Sequence, residues 1–323
     1  MAGLPALSTR WRGTDVGAWL VGAYGPDMGG TATGVSRLVS NPDGSLSVDS
    51  DFDLRLESPA FLARGETLYA ALEGRGEVAA GEARFSTGGK WPCHIGIYGD
   101  TVVVANYFDG TVTVLGGATI QPEAGSGPNP AQDGPHAHAT VQVAPGVILS
   151  ADLGADRIVV YSLADGALSR TGSVALPPGT GPRDFLVNGE YLYILGEHAH
   201  TITVARWTGN ELALISSVPL PGAFETDQAS ALGIGNGFLY AGLRGSNQVS
   251  VLAVSADGSE LVGVTSVSSA GDWPRHLVVD GAVLHVANQL SDSVASFALG
   301  SDGIPRLIAE PTVTPSPTYL LAD

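Results

Sequence analysis

WPRHLVVDGAVLHVANQLSDSVASFAL, residues 273–299, reads as three short strands in a row. A proline and two polar residues open the apolar run LVV. The Asp280-Gly281 dipeptide, suited to the positive φ angles of a two-residue hairpin, turns the chain. VLHVAN and SVASF follow, joined by a polar turn. The same phrase recurs upstream as WPCHIGIYGDTVVVANYFDGTVTVL (91–115), PHAHATVQVAPGVILSADLGADRIVVYSL (135–163), GPRDFLVNGEYLYILGEHAHTITVARW (181–207) and ASALGIGNGFLYAGLRGSNQVSVLAV (229–254). Asn188-Gly189 and Asn236-Gly237 stand where Asp280-Gly281 does. No stretch of 12 residues carries a helical period.

Outward from these five units the pattern weakens but continues. SPAFLARGETLYAALEGRGE (58–77) is a further copy whose third strand reads as damaged or displaced. AWLVGAYGPDMGGTATGVSRLV (18–39) supplies the second and third strands of a seventh unit that lacks its innermost strand. The tail VTPSPTYLLAD (313–323) reads as the start of another repeat cut short, and is expected to supply that strand. Openings fall at 59, 92, 135, 182, 229 and 274, most of them 43 to 47 residues apart. One four-stranded propeller blade takes roughly 40–50 residues. The expectation is one all-β domain over 1–323: a seven-bladed β-propeller of four-stranded antiparallel blades, its ring closed by the N- and C-terminal strands.

Composition agrees. Of 323 residues, 44 are glycine and 20 proline, while 15% are charged and 44% hydrophobic. That excludes a disordered chain, which would be charge-rich, and a helical bundle, which would avoid glycine. A formal net charge of −17 repels nucleic acid and anionic membranes, so neither is an expected partner. A closed ring is expected to be a monomer or a weak oligomer. The sole cysteine, Cys93, excludes an intrachain disulfide, and the start MAGLPALSTRWRG lacks a signal-peptide pattern. Both lead to the expectation of a cytoplasmic protein. No run of 18 apolar residues is present.

In a propeller the innermost strands line a central channel, so the chemistry is sought there. The residues opening the units are His94, His136, His138, Arg183, Asp184, Arg275 and His276. Those ending the second strands are Glu73, Asn106, Tyr107, Asp152, Glu197, Arg244, Asn288 and Gln289. Histidine moves protons near neutral pH, and a channel glutamate serves as base or acid according to its desolvation. Arginine grips carboxylate or phosphate, and three of them in corresponding zones reverse the local charge of an acidic chain. The set suits acid–base chemistry on a small anionic molecule.

WPCHIGIYGDTVVVANY, GPHAHATVQV, GPRDFLVNGEYLYILGE and WPRHLVVDGAVLHVANQLSDSV resemble the repeats of the seven-bladed lactonase family, which holds propeller-type 6-phosphogluconolactonases and eukaryotic carboxymuconate-lactonizing enzymes. The resemblance implies a His, Arg and Glu active site with no metal or other cofactor, and it falls by motif on His136, Arg183 and Glu197. His94, His138, Arg244, Arg275 and His276 are expected to bind substrate. Several positions depart from the pattern. Asp184 stands where a His follows the Arg, and Gly196 where an Asn precedes the Glu. Ala229-Ser230-Ala231 replaces a motif with a Glu, while Leu243 and Leu72 replace Asn. Sugar-lactone hydrolysis, lactonizing isomerisation of a muconate and a non-catalytic protein-binding propeller are the readings in play.

Plainer roles stand beside these. His94 and His276 equally suit hydrogen bonds to neighbouring blades, and Arg275 suits pairing with a blade carboxylate. Glu197-His198-Ala199-His200 reads as a solvated loop rather than a metal cluster. Asn106, Asn288, Asp152 and Asp156 read as turn organisers. Cys93 reads as a small buried residue, since no base-and-orienter pair accompanies it.

Overall fold

A computed structural model describes residues 17–323; the N-terminal start considered above for a leader lies outside them. The strands gather into seven antiparallel sheets, six of them built from consecutive strands. Their innermost strands are Pro59–Arg64, Pro92–Tyr98, Ala137–Ala144, Pro182–Asn188, Gln228–Gly235 and Pro274–Asp280. In the seventh sheet, Leu46–Val48, Gly34–Ser40 and Ala18–Ala23 are completed on the inside by Pro317–Ala322 from the other end of the chain. Trp19 pairs with Ala322 and Val21 with Leu320. Each inner strand packs on the next, and Pro317–Ala322 packs on both Pro59–Arg64 and Pro274–Asp280, so the ring closes. This is the expected seven-bladed propeller. The third strand of the 58–77 unit is short, Glu77–Ala80, but in place rather than displaced.

Period-2 sequences bury both sheet faces here, because every blade is sandwiched between two others. The apolar core is accordingly split into seven clusters, each joining two neighbouring blades. Tyr193, Leu195 and Val204 of the Pro182 blade, for example, pack against Leu239, Ala241 and Leu252 of the next. The centre is lined by polar, aromatic and small side chains.

Turn chemistry needs one correction. Asn236 and Gly237 both have positive φ (54° and 81°), as a type I′ hairpin requires. Asn188 instead pairs with Tyr191 and Asp280 with Val283, so those loops are Gly189-Glu190 and Gly281-Ala282. Only the glycine has positive φ in each (60° and 56°), the pattern of type II′.

Candidate active site

Every inner strand breaks register with its partner at the same step. Pro182 faces Gly196 and Asp184 faces Leu195, leaving Arg183 as an extra residue. Arg275, Cys93, Ala60, His138 and Thr318 are skipped in the same way, and Ser230 with Ala231 lies within the corresponding shift. A bulge of this kind interrupts the in–out alternation and re-aims side chains. Two successive residues of each blade therefore line the central cavity, of about 230 Å³. The first ring contains Cys93, His138, Arg183, Ser230 and Arg275; the second contains Phe61, His94, Asp184, His276 and Tyr319. A third set, at the ends of the second strands, braces the first: Tyr24, Glu73, Tyr107, Glu197, Arg244 and Gln289.

This register resolves the histidine pair. Ala137, not Pro135, is the counterpart of Pro182, since Ala137 and Ala139 flank the bulge. The blade therefore opens two residues later than its proline suggests. His138 lines the cavity, whereas His136 lies behind it, 8% exposed. There its ring stacks on Tyr107 at 4.6 Å, its Nδ1 meets the Tyr107 carbonyl at 2.8 Å, and its Nε2 lies 3.1 Å from Asp133. A Cβ on Gly154 would come within 2.6 Å of the His136 ring and 1.8 Å of the Gly134 carbonyl, so this packing needs glycine.

Arg183 and Arg275 both line the cavity, but their partners differ. Arg183 donates through Nη1 to Glu197 Oε2 at 2.6 Å and through Nε to the Ser230 carbonyl at 2.7 Å. Arg244 reaches the same Glu197 oxygen at 2.9 Å. Glu197 and Arg244 are buried behind the cavity wall, outside its lining. Burial alone would raise the Glu197 carboxyl, but Arg244 and Arg183 outweigh it and hold it down to about 2. Arg244, pulled down by burial and by Arg183, sits at about 9 and stays charged at neutral pH.

Arg275 is held without a direct carboxylate contact. It donates to Gln289 Oε1 at 3.1 Å and to the Tyr24 hydroxyl at 2.6 Å, with its guanidinium 4.6 Å over the Tyr24 ring. Tyr24 in turn donates to Glu73 Oε2 at 2.7 Å. Glu73 lines the cavity, and burial raises its carboxyl above the usual range against the pull of Arg275, Tyr24 and Arg183. The two glutamates thus have opposite electrostatics: one locked between two guanidiniums, the other desolvated and facing the cavity.

The cavity histidines are neutral. Burial lowers His94 to about 4 and His276 to about 3, and takes His138 well below the ordinary imidazole value with help from three arginines. His276 Nδ1 accepts the Leu320 N–H at 3.2 Å, which puts its proton on Nε2. His94 Nδ1 lies 3.3 Å from the Thr140 hydroxyl. Each therefore lines the channel and braces a neighbouring blade. Burial raises the Cys93 thiol, so it is not a thiolate nucleophile. His200 Nε2 lies 2.6 Å from the Asp227 carbonyl, and no metal-holding cluster occurs among the described residues. Asp152 accepts the His136 N–H, and Asp156 the Gly179 and Gly181 N–H groups, as turn organisers do. Tyr24 escaped the sequence reading. The signal was its place after the second strand of the first unit, equivalent to Glu73 and Glu197.

The model of the family described as "Lactonase, 7-bladed beta-propeller" matches residues 19–322. A Bacillus subtilis protein named 6-phosphogluconolactonase is 27% identical over 297 residues, covering 80% of this chain and 85% of that protein. A solved structure of a Lactobacillus plantarum protein superposes with a TM-score of 0.85 at 25% identity, covering 95% of this chain and 99% of that one. The Pseudomonas aeruginosa periplasmic gluconolactonase shares the fold with a TM-score of 0.85 at 24% identity, over 95% and 99% of the two chains.

Proposed function

The chain belongs to the seven-bladed β-propeller lactonase family, and from that premise we propose that it hydrolyses a small sugar lactone carrying an anionic group, in the central cavity. The observation that carries this is that Glu73, a desolvated carboxyl, lines one cavity of about 230 Å³ together with Arg183 and Arg275. Ligand pockets commonly measure roughly 300–1,000 Å³, so this space suits one small molecule rather than a polymer. The name of the Bacillus subtilis relative supports a phosphorylated lactone as the anionic substrate.

In this reading Glu73, as carboxylate, takes a proton from the water that attacks the lactone carbonyl carbon. The carbonyl oxygen becomes an oxyanion, stabilised by the Arg183 guanidinium, whose Nη2 donates to none of the described residues. Collapse breaks the ring C–O bond. The proton held by Glu73 passes to the departing alkoxide, giving a hydroxy acid. Arg275 holds the substrate's anionic group and positions Glu73 through Tyr24. Neutral His138 supplies a hydrogen bond rather than a charge. Glu197 and Arg244 position Arg183, and His136 supports Tyr107. Locked near 2, Glu197 is too weak a base for the proton transfer.

Acid release from 6-phosphogluconolactone and from its unphosphorylated parent, followed by pH-stat, tests the reading. Turnover above the spontaneous rate, faster for the phosphorylated compound, is expected. Its absence at every pH between about 5 and 9 overturns the assignment. Loss of carboxymuconate ultraviolet absorbance would move the chain to lactonizing chemistry.

A further inference from the structure

Below the arginine ring the cavity wall changes character. The second ring carries four aromatic side chains in consecutive contact: His94 on Phe61 at 4.6 Å, Phe61 on Tyr319 at 4.1 Å, and Tyr319 on His276 at 4.1 Å between ring centres. Facing this arc, the wall is apolar, with Ala139, Phe185, Ala231 and Leu232, except for one carboxyl, Asp184. Asp184 is fixed by backbone donors: Oδ1 accepts the Phe185 N–H at 2.9 Å and Oδ2 the Leu232 N–H at 3.0 Å. Each oxygen keeps further acceptor capacity. The Tyr319 hydroxyl and the His276 Nε2 have no hydrogen-bond partner among the described residues, and both side chains line the cavity.

We propose that this second ring is a subsite for the neutral, hydroxyl-bearing part of a sugar acid, with Asp184 as its specificity residue, while the anionic groups stay in the arginine ring. Aromatic faces take the apolar C–H side of a sugar. Asp184 accepts from its hydroxyls, and the Tyr319 O–H and His276 Nε2–H donate to them. A phosphate or carboxylate is rejected here, because this ring holds no cation and a carboxylate would face it with like charge. Both histidines remain neutral through burial. In the ring above, Arg183 and Arg275 offer what an anion needs. The cavity is thus polarised along its axis, with anionic groups held in the arginine ring and hydroxyls in the ring beside it.

This rests on the small-molecule reading of the cavity, and the test separates the two. Affinities of inorganic phosphate and of 6-phosphogluconate are measured by titration calorimetry on the wild type, Asp184→Asn, Phe61→Leu and Arg275→Met, with melting temperature confirming that each is folded. The wild type should prefer 6-phosphogluconate. In Asp184→Asn that preference should fall by about tenfold, the size of one lost hydrogen bond to a charged group, and in Phe61→Leu it should fall as the aromatic face is lost, with phosphate binding unchanged or tighter in both. Arg275→Met should weaken both ligands alike and leave the preference intact. An undiminished preference in both Asp184→Asn and Phe61→Leu overturns the subsite, as does a wild type with no preference. Should the preference behave as expected in a protein that hydrolyses no lactone, the subsite stands and the hydrolase reading falls.

Discussion

Replacing Glu197 by glutamine keeps the side chain's shape and removes one charge from between two guanidiniums. Both arginine nitrogens contact the same oxygen, at 2.6 and 2.9 Å, so they lie within about 5.5 Å of each other, the sum of those contacts. All three side chains are at most 7% exposed, so water does little to screen them. Moving a carboxyl from 4.5 to about 2 corresponds to roughly 3 kcal/mol of stabilisation. Breaking a buried pair by removing one partner costs about 3–5 kcal/mol, which agrees. For a chain of about 300 residues the unfolding entropy near 60 °C is about 0.6 kcal/mol/K, so melting should fall by about 5–8 °C at pH 7. The sign with pH follows from the depressed value. The contribution of Glu197 is complete above the unfolded pKa near 4.5 and is lost as pH falls through about 2. The difference between variant and wild type should therefore shrink between about pH 5 and pH 2. Scanning calorimetry across that range reads both effects. Adding Arg244→Met to Glu197→Gln should restore part of the loss by removing the surplus charge. A Glu197→Gln variant that melts with the wild type yet loses turnover would refute the clamp and make Glu197 a proton-transfer residue.

The other glutamate should behave in the opposite way. Glu73→Gln should lower kcat by about a hundredfold or more while melting no lower than wild type at pH 7–8, because burial penalises its charged form and the stability it contributes is lost as pH rises through its raised value. In the wild type the acid limb of kcat/KM should lie above the ordinary glutamate value of 4.5; a limb near 2 would point to Glu197. His138→Ala should reduce kcat/KM about tenfold or more, whereas His136→Ala, which loses a ring stack and hydrogen bonds behind the wall, should lower melting temperature with kcat/KM within about twofold of wild type. The reverse ranking in paired kinetics and melting would unseat the register argument. Deleting residues 317–323 removes the inner strand of one blade and its contacts with two others, so the truncated chain should show no cooperative unfolding by circular dichroism. A sharp transition near that of the full chain would contradict ring closure by that strand.

The repeat was legible because blades are local objects. Alternating apolar residues and glycine turns act over ten residues or so, and they wrote the strands of 91–299 plainly into the sequence. Ring closure was legible too, since a unit missing its inner strand and a tail holding one spare strand have a single joint solution. Which residues meet at the hub was not. The channel face depends on a one-residue bulge, and Ala137 bears no proline to mark it, so His136 and His138 exchanged places on a shift of two. The roles of Glu197 and Glu73 depend on which groups approach in space: Arg183 from the adjacent strand of the same blade, 14 residues from Glu197, Arg244 from the next blade, 47 residues from it, and, for Glu73, Tyr24, which takes the hydrogen bond of Arg275 from 251 residues away. Sequence fixes strands because backbone preference is short-ranged. Charge, desolvation and proton affinity are sums over neighbours in space, and only the closed ring determines who those neighbours are.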